Sequence, residues 1–142
     1  MSKTGSCLCG AVNYTLSEPP VHSGACHCSM CRKWTGGVFV AFMAAPKTVT
    51  LRGEEHLHVF TSSEWAERAS CSKCGSSLFY RVTAPGPEQG VYHFGLGTLD
   101  DADGIPLGQE IFIDEKPNSY CFAGETKKMT GAEVFAMFAP QE

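Results

Sequence analysis

The chain has 142 residues, 43% of them hydrophobic and 18% charged, with a formal charge of −4. That length favours a single domain spanning 1–142, the apolar fraction is enough to bury a core and excludes extensive disorder, and the net negative charge opposes a nucleic-acid binder held by phosphate neutralisation. No stretch approaches the ~20 apolar residues that span a bilayer, and the opening Met1-Ser2-Lys3-Thr4-Gly5-Ser6-Cys7 has no apolar signal region, so the cytoplasm is the expected compartment, with neither membrane nor nucleic acid as partner.

Fifteen glycines and eight prolines punctuate the chain into short runs rich in β-branched and aromatic residues, which read as strands. The first is Ala11–Leu16, where Val12, Tyr14 and Leu16 alternate with polar residues as in a sheet with one wet face. A short helix is expected over Ser29–Trp34, between Cys28 and Gly36. Val38–Met43 is apolar throughout, which fits a central strand covered on both faces, although a buried helix of that length would look alike. Further strands are expected over Thr48–Arg52, Leu57–Thr61, Ser77–Val82, Val91–Leu96 and Ile111–Ile113, with loops over Ala84–Gly90 and Asp100–Gly104. The clearest helix signal comes last, at about 130–139. There Thr130 and Glu133 form a capping box, and Val134, Phe135, Met137 and Phe138 supply an apolar face expected to pack on the sheet.

Eight cysteines are unusual in a reducing compartment, where disulfides are not stable and metal binding or redox chemistry explains such a count. Cys71-Ser72-Lys73-Cys74-Gly75 has the form of a zinc knuckle, the glycine permitting the positive φ that closes the turn. A closed site needs four ligands, and Cys7 and Cys9, followed by Gly10, are the complement; the alternative, a redox dithiol, lacks the flanking βαβ pattern. Closing Cys7, Cys9, Cys71 and Cys74 on one ion would tie the N-terminus to the middle of the chain. Cys26, Cys28 and Cys31 form the other group. Spacing leaves two readings: an open three-thiolate catalytic zinc, or a second structural zinc closed by Cys121 or His27. Cys121 otherwise reads as a buried inert thiol, and His22, His56, His58 and His93 as surface or core residues.

These motifs resemble the glutathione-dependent formaldehyde-activating enzyme family, which includes the centromere protein V type domain. The carriers are Gly5-Ser6-Cys7-Leu8-Cys9-Gly10-Ala11-Val12, Cys26-His27-Cys28-Ser29-Met30-Cys31-Arg32-Lys33-Trp34-Thr35-Gly36-Gly37 and Cys71-Ser72-Lys73-Cys74-Gly75-Ser76-Ser77-Leu78. Weaker likeness continues through Gly97–Asp101 and Ile111–Pro117, so the resemblance covers about 5–122. It implies a mainly β fold, a β-tent of curled antiparallel sheets with short helices and two Zn²⁺ ions. Cys7, Cys9, Cys71 and Cys74 would hold the structural ion, and Cys26, Cys28 and Cys31 the catalytic one. The implied activity is that of a carbon–sulfur lyase adding glutathione to formaldehyde, with S-(hydroxymethyl)glutathione as product. Two positions depart from the pattern: Glu110 stands where a His precedes Ile-Phe, and Tyr120 where a Trp follows Lys-Pro.

The expected chemistry is attack of a metal-held small thiol, glutathione or a relative, on formaldehyde or another small aldehyde. Three cysteine thiolates, a substrate thiolate and one Zn²⁺ carry excess negative charge, and Arg32 and Lys33, directly after Cys31, are the cations expected to help bind that complex. The competing class is a non-catalytic, zinc-stabilised binding or scaffold module, which would have a closed second site. The stretch 127–142 has no counterpart in the family pattern, and its helix is assigned to packing or to a homo-oligomer contact.

Overall fold

The computed structural model describes residues 2–138, and in chain order its regular elements begin with β1 (Lys3–Ser6), β2 (Asn13–Leu16), β3 (Ser23–Cys26), α1 (Ser29–Thr35), β4 (Phe39–Ala44), β5 (Val49–Arg52) and β6 (Leu57–Thr61). They continue with β7 (Ala66–Cys71), β8 (Ser77–Val82), β9 (Tyr92–Gly95), β10 (Leu107–Ile111), β11 (Lys127–Met129) and α2 (Gly131–Met137). The fold is mainly β, with open sheets and two short α-helices among the described residues. Two compact units divide the chain, Met1–Val21 with Phe42–Ile105 and His22–Ala41 with Pro106–Glu142.

In the first unit the polar/apolar alternation of β2 buries Tyr14 and Leu16 and leaves Asn13 and Thr15 on the other face. β2 lies between β1 and β5, antiparallel to both, while β9, β8, β7 and β6 form an antiparallel ladder. The core gathers on Phe94, whose ring stacks on Tyr14 at 4.1 Å and meets Phe42 at 5.7 Å and Phe79 at 5.3 Å. Each such pair adds roughly 0.5–1.5 kcal/mol beyond simple burial. Tyr14 keeps its hydroxyl satisfied at the edge of this cluster through Thr98 Oγ1, 2.7 Å away. The apolar run at β4 is not covered on both faces: Phe39, Phe42 and Ala44 are buried, but Met43 is exposed.

In the second unit β10 runs parallel to both β3 and β11, and β3 is antiparallel to β4. The sheets are thus not wholly antiparallel. The strand expected over Ile111–Ile113 in fact spans Leu107–Ile111, because Phe112 turns into the left-handed region at φ 55° and a 3-10 turn follows over Ile113–Glu115. That turn serves both helices: Glu115 accepts from the Ser29 N–H at 3.2 Å, and Asp114 accepts from the Gly131 N–H at 2.9 Å. The capping box at α2 forms as expected, Thr130 and Glu133 each accepting from the other's backbone N–H. Its packing differs from expectation. α2 rests on Phe112 through Phe135 and Gly131, leaving Phe135, Met137 and Phe138 exposed; position 139, the end of the expected helix, lies outside the described residues.

Candidate metal centres

Two tight turns converge in the first unit. Gly10 and Gly75 both take φ +81°, a conformation that glycine alone adopts without strain, and their N–H groups bond back to the carbonyls of Cys7 at 3.1 Å and Cys71 at 2.8 Å. The sulfurs of Cys7, Cys9, Cys71 and Cys74 lie within 4.8 Å of one another, with Cys7 to Cys9 at 3.6 Å and Cys9 to Cys71 at 3.8 Å. Zn–S bonds of ~2.3 Å in a tetrahedron put sulfurs about 3.8 Å apart, so the donor set fits a four-thiolate ion.

Ser76 joins the two turns. Its hydroxyl accepts from the Leu8 N–H at 2.9 Å and lies 3.2 Å from Cys74 Sγ, to which it can donate, while its carbonyl accepts from the Cys71 N–H at 2.9 Å. The hydroxyl, with backbone N–H groups beside it, draws the Cys74 thiol down to about 5, well into the thiolate range. Sequence reasoning passed over Ser76, because a serine two residues after a knuckle carries no distinctive spacing.

In the second unit Cys26 ends β3, Cys28 caps α1 with its Sγ accepting from the Cys31 N–H at 3.3 Å, and Cys31 is buried on the first turn of that helix. Their sulfurs also lie within 4.8 Å of one another. The shared hydrogen bonds favour one charge: those from Cys26 and Cys31 hold Cys28 far below the ordinary thiol value, and those to Cys28 and Cys31 push Cys26 up. The group can therefore exist with a ready thiolate, the form that binds a metal.

Neither candidate fourth ligand joins this group among the described residues. His27 is fully buried with both ring nitrogens engaged, Nδ1 with Tyr120 Oη and Nε2 with Glu110 Oε1, each at 2.8 Å. Cys121 is exposed, not buried as expected, since it falls in an irregular stretch after Tyr120 that no regular element covers. Arg32 donates through Nε to the His27 carbonyl at 3.0 Å, and Lys33 is exposed on the last turn of α1.

A sequence profile described as glutathione-dependent formaldehyde-activating enzyme matches residues 2–115. The chain belongs to this family. Among its relatives, an uncharacterized lyase of Schizosaccharomyces pombe is 31% identical over 132 residues, covering 92% of each chain. A provisionally named glutathione-dependent formaldehyde-activating enzyme of Halomonas elongata is 30% identical over 137 residues, covering 84% of this chain and 86% of its own. A crystal structure of a Rhodobacter sphaeroides protein is similar in fold, with a TM-score of 0.56 at 24% identity over 73% of this chain and 98% of that one. Within this family frame, the two departures noted in the sequence, Glu110 and Tyr120, meet the two nitrogens of one imidazole, a pairing that positions 83 and 93 residues from His27 did not disclose.

Proposed function

We propose that the protein is a zinc-dependent carbon–sulfur lyase that joins glutathione, or a related small thiol, to formaldehyde or another small aldehyde. The observation that carries this reading is the contrast between the two sulfur groups: four cysteines meet in one, whereas Cys26, Cys28 and Cys31 meet without a fourth protein ligand among the described residues. Three protein ligands with one position left for substrate is the pattern of a catalytic site, and four protein ligands that of a structural one. Family membership supports the same substrates. A zinc ion at the three-cysteine group supplies Lewis acidity and keeps a small thiol deprotonated at neutral pH.

In the balanced reaction a sulfur lone pair forms the new C–S bond, the carbonyl π pair moves to oxygen, and the proton lost from the thiol ends on that oxygen. The chain's own contribution is to hold Cys28 at the N-cap of α1, Cys31 on its first turn and Cys26 at the end of β3, so that the three sulfurs lie within 4.8 Å of one another. Arg32, tied to the His27 carbonyl, and the exposed Lys33 are the cations assigned to help bind an anionic thiol.

Exchange NMR between free glutathione and its hydroxymethyl adduct, with zinc-loaded protein and formaldehyde, is the test. The exchange rate is expected to rise above that in buffer and to return to it in Cys28→Ser. A wild-type rate equal to that of buffer, with both sites loaded, overturns the enzyme reading in favour of the scaffold module.

A further inference from the structure

A polar chain runs through the residue between Cys26 and Cys28 that the proposed reaction leaves unused. His27 directly follows the last residue of β3, and its ring is fully buried. Nε2 is 2.8 Å from Glu110 Oε1 and Nδ1 is 2.8 Å from Tyr120 Oη. Glu110 is itself buried on β10; its Oε2 accepts from Thr126 Oγ1, with Lys128 Nζ 3.7 Å away. A carboxylate can only accept, so Nε2 carries the proton and the phenol meets the other nitrogen. No buried side-chain nitrogen or oxygen among the described residues lacks a partner. An aliphatic side chain would fill the same space without requiring two polar partners, one of them itself held by Thr126 and Lys128, to be assembled around it.

We propose that His27 is a positioning residue for the three-cysteine centre: held by Glu110 and Tyr120, its ring fixes the rotation of the Cys26–Cys28 turn so that both thiols converge with Cys31. The inference rests on reading that group as a metal centre. The backbone at this point is anchored by the His27 N–H to the Ile111 carbonyl at 3.1 Å and by Arg32 Nε to the His27 carbonyl at 3.0 Å. Those bonds fix where the turn lies. The ring, buried and held at both nitrogens, sets how the turn is rolled about its own axis, and a small roll moves both flanking sulfurs at once. Tyr120, Thr126 and Lys128 all lie beyond residue 115, where the family profile's match ends, so the segment 116–129 belongs to the centre and not only to the packing of the C-terminus. Partners behind ligand-bearing groups typically change metal affinity about 10- to 100-fold when removed.

The test uses the full chain loaded with zinc or cobalt, comparing wild type with Tyr120→Phe, Glu110→Gln and the double variant. Chelator competition reads the two metal equivalents separately, and the visible bands of cobalt read the geometry of the second. Each single variant is expected to weaken the second equivalent about 10-fold, to shift its cobalt bands and to leave the first equivalent unchanged. The double variant should lose less than the product of the two, because both act through one ring. Unchanged affinity and bands for the second equivalent, or equal weakening of both equivalents, overturns the proposal. Should Glu110→Gln fail to fold, Tyr120→Phe, which keeps the aromatic ring and removes one hydroxyl, decides alone. A wild type that binds two metals without joining thiol to aldehyde overturns the enzyme reading and leaves this inference standing; an active wild type whose variants hold metal normally does the reverse.

Discussion

His93 shows how one side chain makes the first unit sensitive to pH. It lies on β9 between the buried Tyr92 and Phe94, edge-on to the Tyr80 ring at 5.4 Å, and burial lowers its value from 6.5 to about 4. The folded chain thus disfavours the charged imidazole, whereas the unfolded chain accepts a proton near pH 6.5. Stability from this source is complete above that pH and drains as pH falls from about 6.5 toward 4, by about 2 kcal/mol between pH 7 and 5. Urea melts of wild type and His93→Phe should show the difference between the two proteins narrowing or reversing as pH drops to 5; curves that stay parallel contradict this assignment. Glu110 works in the other direction: burial opposes its charge, but the hydrogen bonds from Thr126 and His27 outweigh it and keep the carboxyl below its ordinary value. Glu110 therefore remains a carboxylate beside the His27 imidazole. No period or spacing in the chain announces that pair, since the contact joins β10 to the residue after β3, two segments brought together only by the sheet.

Elements here are short, and what ends each one matters as much as what forms it. α1 has seven residues, begins where Cys28 caps the Cys31 N–H and stops at Gly36, whose left-handed φ of 81° lets its N–H close on the Arg32 carbonyl. Cysteine spacing and glycine placement made this helix legible in advance. The last helix was equally legible from Thr130 and Glu133, but its seat was not. A methyl group at Gly131 would come within 2.8 Å of the Phe112 ring, and Phe112 is held at positive φ. Gly131→Ala is therefore expected to push α2 off Phe112 and cost roughly 1–3 kcal/mol. Hydrogen exchange should then accelerate in Gly131–Met137 while β2 and β9 keep their protection; unchanged exchange in α2 would show that the ring yields without loss.

Across the whole molecule the two sulfur groups have different reach. Cys9 and Cys71 are 62 positions apart, so an ion at the four-cysteine group closes a long loop within the first unit, and its binding energy becomes folding energy. Cys26, Cys28 and Cys31 fall within six consecutive positions of the second unit, where an ion closes almost no loop. Cys74→Ser should consequently lower the melting temperature sharply and deplete one zinc, whereas Cys28→Ser should melt close to wild type while losing the other. Paired calorimetry and elemental analysis check this, and equal damage from the two substitutions would contradict the division into structural and catalytic roles.

Local chemistry determined much of this protein from the sequence by itself. Strands with a clear period or bounded by turn residues, such as Leu57–Thr61 and Ser77–Val82, appear with those bounds, as do both helix starts, because caps, glycines and alternation act within a few residues. The cysteine clusters were also readable, and the expected set Cys7, Cys9, Cys71 and Cys74 does come together, whereas spacing left open whether Cys121 or His27 would join Cys26, Cys28 and Cys31. β1, β3, β7 and β11 were not, as they carry Ser, Gly, Ala, Glu and Lys and owe their conformation to neighbouring strands that satisfy their backbone groups. Only the tertiary structure decided the parallel pairing of β10, the Ser76 link between the two turns, the exposure of Cys121 and the Glu110–His27–Tyr120 chain. Each of these depends on which residues far apart in sequence meet in space and which, like Cys121, are left uncovered, and no local pattern records where a chain will return.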